Sequence, residues 1–177
     1  MANAQPDVVC PFFDIRQGAS TLTIGPTGDE TNNGAMSLKY QGIFVRAARD
    51  CKVVANQLVM NIGVQGRIVV GPAGGPGQVD VPLRVAVVDQ AAAGSKTIVT
   101  KLIRIPVAVT NNDSVTFTHI EQGVSFPLPK SAELDDYIVY IGFDPIGAEQ
   151  EDKAKLRPAP KAKPKPRVKP NPNAPTG

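Results

Sequence analysis

An all-β fold, an antiparallel sandwich of about seven strands of immunoglobulin-like or fibronectin-like type, is the architecture this sequence predicts. Three observations carry that expectation. Short runs with an apolar residue at every second position recur along most of the 177 residues, which is the period of a half-buried strand. Clusters of Gly, Pro and Asn punctuate those runs. No stretch carries the sustained 3.6-residue apolar period of a long amphipathic helix.

In chain order, residues 20–24 form a brief first strand, and GPTGDETNNG over 25–34 is a loop by composition. Residues 38–50 make the next strand, with Tyr40 near its start and Ile43, Phe44 and Val45 at its centre. The strongest pattern is 57–70, where Leu58, Met60, Ile62, Val64, Ile68 and Val70 share one face and Gln57, Asn61, Gln65 and Arg67 the other. Gly63 and Gly66 inside that run point to a bulge or bend. GPAGGPG over 71–77 reads as a long hairpin connection. It lacks the Lys-Ser or Lys-Thr of a phosphate-cradling loop, and no helical pattern follows it.

Val79, Val81, Leu83, Val85 and Val87 then alternate with Asp80, Pro82 and Arg84. Pro82 has no amide hydrogen and marks an edge or bulged strand. Residues 96–109 place Ile103, Ile105 and Val107 on one face, with Pro106 as a second edge position. The turn Asn111-Asn112-Asp113 leads into a strand over 115–120. Asn112-Asp113-Ser114 is formally a glycosylation sequon, but reads as turn chemistry. Residues 131–136 suit a single helical turn, and 137–143 form the last strand, with Tyr137, Val139, Ile141 and Phe143 on one face. In an immunoglobulin-like frame Tyr137 takes the place of a tyrosine corner; otherwise it is an ordinary half-buried strand tyrosine.

This divides the chain into an N-terminal arm (1–19), a β-sandwich domain (20–147) and an extended, disordered Lys/Pro-rich tail (148–177). Aromatic content of 5% without Trp makes the core aliphatic. The net charge of +3 hides a split, since residues 153–177 hold eight cations and no carboxylate, leaving 11 basic and 16 acidic side chains over 1–152. Only the tail therefore has the charge for a polyanion.

Cys10 and Cys51, with the lone His119, are too few for a structural zinc site, and no metal or cofactor is expected. The two thiols form either one disulfide or two buried free cysteines. The disulfide is favoured, because a bridge there pins the N-terminal arm to the sheet, and it implies an oxidising compartment. His119 sits in the strand VTFTHI with no serine in a nucleophile-elbow context, since GVSFP around Ser125 lacks the second glycine. It reads as a solvent-facing or hydrogen-bonded strand residue, and no catalytic set assembles. Glu149, Glu151 and Asp152 read as a solvated hinge able to pair with tail lysines.

Seven prolines keep residues 153–177 extended, to a reach of about 75 Å at polyproline spacing. The candidate partner-binding residues are Lys153, Lys155, Arg157, Lys161, Lys163, Lys165, Arg167 and Lys169. They suit a tether to an envelope protein or anionic polymer, against the plainer reading of a solubilising terminus. The tail has no aromatic residue for base stacking, which makes nucleic acid the lesser candidate.

The segments CPFFDIRQGASTLTI (10–24), GRIVVGPAGGPGQVDVPLRVAVV (66–88) and YIVYIGFDP (137–145) resemble a group of uncharacterised alphaproteobacterial cell-envelope, lipoprotein-like β-sandwich proteins. The Lys–Pro composition of the tail is similar to that of periplasm-crossing spacers in energy-transducing envelope proteins. The resemblance implies export and a lipid-bearing cysteine upstream of this chain. Cys10 departs from that pattern, because Asp7-Val8-Val9 precedes it and no apolar run does. Residues 1–9 lack the regions of a signal peptide, so either the protein is cytosolic or an export segment has been removed, for which Ala2-Asn3-Ala4 has the small-x-small form. No apolar run is long enough to span a bilayer. The expected function is a non-enzymatic structural or interaction module, periplasmic or outer-membrane associated, with the tail as tether. The alternative is a cytosolic or virion structural protein whose tail contacts nucleic acid.

Overall fold

Apolar alternation becomes strands, and eight are found where the patterning resolves seven. A computed structural model describes residues 9–25, 34–91, 93–131 and 133–167. Along them run β1 (Phe12–Ile15), β2 (Thr21–Ile24), β3 (Tyr40–Val54), β4 (Gln57–Val70), β5 (Gly77–Asp89), β6 (Lys96–Val109), β7 (Ser114–Pro127), β8 (Tyr137–Phe143) and α1 (Pro145–Lys155). Short 3-10 turns lie at Ala35–Ser37 and Leu134–Asp136. The interior of the 25–34 loop, Ala2-Asn3-Ala4 and Lys169 lie outside the described residues.

The strands form two four-stranded sheets, ordered β1-β8-β5-β6 and β2-β3-β4-β7. All pairings are antiparallel apart from the parallel β1–β8 pair. The expected all-β sandwich is therefore present. Its strand order is not the immunoglobulin-like one, because β2, β3 and β4 follow one another within a single sheet, where that fold changes sheet after its second strand.

β4 is the axis of its sheet. Leu58, Met60, Ile62, Val64 and Ile68 are buried on one face, each worth about 1.5–3 kcal/mol of transfer from water. The bulges lie in its neighbours and not, as expected, in β4 itself. Val45 is the extra residue of β3, between the pairs Phe44↔Gly66 and Arg46↔Gln65. β7 carries its extra residue between the pairs opposite Met60 and Ile62, where Gly123 at φ +71° donates its N–H to Asn61 Oδ1 at 3.1 Å. Each bulge flips the phase of its strand, so that Phe117 faces inward before the β7 bulge and Val124 and Phe126 after it. Gly66 has a different reason: a Cβ there would lie 2.4 Å from the Phe117 ring.

Two further expectations change. Pro82 does not mark an edge strand, since β5 is central, between β8 and β6. β8 ends at Phe143, opposite Leu83, so the missing amide of Pro82 falls just beyond the ladder, and Pro82 O accepts from Asp144 N at 2.9 Å. Pro106 does lie on an edge strand, β6. The GPAGGPG segment is not a hairpin; it carries the chain from β4 in one sheet to β5 in the other. It is held by Gly71 N to Lys39 O at 2.8 Å and by the Tyr40 hydroxyl to Gly75 O at 2.6 Å.

The sheets meet over an aliphatic core that includes Val81, Leu83, Val85, Val139 and Ile141. Two aromatic stacks cross between them, the tighter being Phe44 on Phe143 with ring centroids 4.2 Å apart. Tyr137 stacks on Phe126 at 5.7 Å. Among the described residues its hydroxyl makes no bond to upstream backbone; the tyrosine that reaches a distant backbone carbonyl is Tyr40, whose partner Gly75 O lies downstream. Burial, then the nearby charges of Asp89 and Glu133, push the Tyr137 phenol above its ordinary value.

Candidate functional site

The described part of the N-terminal arm, residues 9–19, is fastened to the sandwich. β1 joins the sheet edge through β8, and Cys10 just before it is disulfide-bonded to Cys51 of β3, with Cα atoms 5.6 Å apart. Since β1 and β3 belong to different sheets, the bridge staples the sandwich along one side. Arg49 reinforces it, its Nε donating to Pro11 O at 2.7 Å and its guanidinium lying 5.8 Å from the Phe13 ring centroid. Arg49 and Cys51 occupy inward-phase positions of β3, beside the inward-facing Ile62 and Met60, so the arm covers that margin of the core.

The tail is built differently from its expectation. Glu149, Glu151 and Asp152 are not a solvated hinge; they belong to α1, together with Lys153 and Lys155. Asp144 caps that helix by accepting from Gly147 N at 2.8 Å, and Pro145 opens it, where its missing amide costs nothing. Lys153 pairs with Glu149 at 2.6 Å and Lys155 with Glu151 at 2.7 Å, both four residues apart. Only Ala148 is buried, so charge rather than an apolar stripe fixes the helix on β5 and β6. Arg104 of β6 donates through Nη2 to Asp152 at 3.0 Å and through Nε to Asp80 at 2.8 Å. The Asp152 and Asp80 hydrogen bonds hold the guanidinium well above its ordinary range, and Arg104 holds the Asp152 carboxyl below its own.

Beyond Lys155 the described chain to residue 167 carries no helix or strand and is exposed throughout. Arg157, Lys161, Lys163, Lys165 and Arg167 therefore stand in solvent, while Lys153 and Lys155 are already paired.

His119 lies in the inward phase of β7, at the seam with β6. Its Nε2 is 3.0 Å from Glu121 Oε2, and Glu121 also takes an ion pair from Lys101. Burial alone would raise the Glu121 carboxyl, but the Lys101 and His119 hydrogen bonds outweigh it and leave the group below its ordinary value. Three polar groups at inward-phase positions thus close the seam where the apolar core ends. Among the described residues no group of three or more His, Cys, Asp or Glu is arranged to hold a metal ion.

One constellation that sequence reasoning missed is a cleft on the outer face of the β1-β8-β5-β6 sheet. Arg16, Arg84, Ala86, Thr97, Thr100 and Tyr140 surround about 390 Å³. Its floor follows from register, since Ala86 of β5 sits between Tyr140 of β8 and Thr100 of β6. Arg84 is fixed by Asp144, Nε to Oδ2 at 2.8 Å, the same aspartate that caps α1. Only the alternation of Arg84 with the core valines signalled an outward arginine; nothing in the sequence placed Arg16 beside it.

No helix among the described residues is long and apolar enough to cross a membrane. No family model, curated protein or solved structure matches the chain.

Proposed function

We propose that the protein is a non-enzymatic cell-envelope module that binds a protein or anionic-polymer partner, with its basic tail as the tether. The observation that carries this reading is the contrast along the C-terminus. Lys153 and Lys155 are neutralised inside a helix ion-paired to the sheet, while Arg157, Lys161, Lys163, Lys165 and Arg167 are exposed on a segment with no helix or strand. Such a segment keeps its cations available, and proline limits the entropy it would lose on binding. The Cys10–Cys51 disulfide is compatible with an oxidising compartment and so supports an envelope location.

Deleting residues 157–177 while keeping α1 tests the tether. The expected result is an unchanged far-UV circular dichroism β signal with at least a tenfold loss of association with envelope fractions, graded by ionic strength. Unchanged association overturns the tether. Recovery of the full chain bound to nucleic acid, with a steep salt slope and both thiols free, replaces the envelope reading with the nucleic-acid one.

A further inference from the structure

We infer that the cleft on the outer face of the β1-β8-β5-β6 sheet is a binding site for an acidic saccharide, a sugar ring bearing one carboxylate. This goes beyond the tether reading and is tested separately from it, because among the described residues no tail residue lines the cleft.

The cleft has two lobes. The first, about 390 Å³, lies within the range of small-ligand sites. The second, about 450 Å³, adds Gln17, Gln90 and Ser95 and shares Arg16, Thr97 and Tyr140 with the first. The two lobes therefore adjoin across those three side chains.

The wall beside β8 is preorganised. The segment between β1 and β2 is pinned to β8 by Arg16 N to Ile141 O at 2.8 Å and Phe143 N to Ala19 O at 2.8 Å. Ala19 rests on Gly142 so closely that a Cβ there would lie 2.6 Å from it. A side chain at residue 142 would lift this wall, so the glycine is what lets Arg16 overhang the sheet.

The charges select one carboxylate. Arg84 is matched by Asp144 at 2.8 Å, whereas Arg16 has no ion-pair partner among the described residues. One uncompensated guanidinium suits a monoanionic carboxylate held by a bidentate fork. A phosphate would call for several cations or a nest of free amides, and the floor strands β8 and β5 each lie between two neighbours, with their amides turned to the ladders. For the same reason the floor strands offer a peptide no free edge to extend. What remains is side-chain recognition by the hydroxyls of Thr97, Thr100 and Tyr140 and the carboxamides of Gln17 and Gln90. Hydroxyls and carboxamides each donate and accept, as sugar hydroxyls do. Gln90 Nε2 already donates to the Tyr140 hydroxyl at 2.9 Å, which fixes the ring beside Ala86, where a sugar's C–H face would lie.

The test is a titration of the full chain with D-glucuronate, followed by amide chemical shifts at constant ionic strength, with D-glucose and acetate as controls. The expected result is saturable binding with a Kd of roughly millimolar order, shifts clustered around Arg16, Thr97 and Tyr140, and binding at least tenfold weaker for both controls. Arg16→Ala, on an exposed side chain, is expected to weaken glucuronate at least tenfold. Ala86→Leu, which fills the floor and leaves the charge, should do the same. Acetate binding as well as glucuronate overturns the saccharide assignment. Shifts confined to residues 157–167, or wild-type affinity in both variants, overturn the site.

Discussion

The two ends of this chain are fastened to the same sandwich by opposite means. The N-terminal arm is held by a covalent bridge, a backbone ladder to β8 and an arginine lying over a phenylalanine. The C-terminal helix is held by charges that face water, with a single buried alanine beneath it. A disulfide acts whatever the salt or moderate acidity, whereas exposed ion pairs are screened and titrate. One end thus completes the fold, and the other is free to answer to its surroundings.

The largest expected effect comes from removing the covalent fastening. The cysteines are separated by 41 positions, and opening a loop of that size is expected to cost about 3–4 kcal/mol in the chain-entropy account. Chemical denaturation of the Cys10→Ser/Cys51→Ser double variant measures it. A midpoint equal to that of the wild type would mean that β1 and Arg49 fasten the arm unaided.

Next is Gly142→Ala, which drives a methyl group into Ala19. Overpacking of this kind is expected to cost about 1–3 kcal/mol. Faster amide exchange at Arg16 and Phe143 should accompany the loss, and exchange that stays slow there would show that the wall adapts.

Acid should separate the two ends. Arg104 lowers the Asp152 carboxyl from an ordinary value near 3.8, so the folded pKa is depressed. Its contribution is fully present above about pH 3.8 and is lost as pH falls through the lower folded value. The seam carboxyl of Glu121, depressed from near 4.5 by Lys101 and His119 against the cost of burial, follows the same sign. Helix amides should therefore lose exchange protection in acid while those of β1 keep theirs. Simultaneous loss at both ends would contradict the comparison.

At neutral pH, Arg104→Ala is expected to loosen α1 with little change in the global midpoint, since Asp152 is exposed and Arg104 only half-buried. Amide exchange in 145–155 reads it. Smallest of all, Lys155→Ala removes one i,i+4 pair with Glu151 and should leave the melting temperature within experimental error. A clear drop would mean that the helix is marginal as well as loosely docked.

Where one rule governed a whole segment, that segment was legible. The bounds of β4, β6 and β8 coincide with the alternating runs at 57–70, 96–109 and 137–143. The second half of β7 escaped because the bulge at Gly123 reverses the alternation midway. β1 escaped because four residues after Pro11 carry little signal, and its partner β8 lies more than 120 residues away. α1 has no apolar face to detect, though Asp144-Pro145 and two Glu–Lys pairs at i,i+4 were readable signs of it. The cleft was the least legible feature. Arg16, Ala86, Thr100 and Tyr140 come from four separate segments, and only strand register makes them neighbours.

By itself the sequence determined what local physics dictates: strands from a period of two, an aliphatic core, and a concentration of cations without carboxylates over residues 153–177. Tertiary structure alone decided which strands share a sheet, that Pro82 could sit in a central strand where its neighbour ends, that GPAGGPG crosses between sheets, and that Cys10 meets Cys51. The physical reason is that alternation specifies which face of a strand is buried but not which edge it pairs with. Pairing is chosen by packing between segments far apart in the chain, and no local pattern records it.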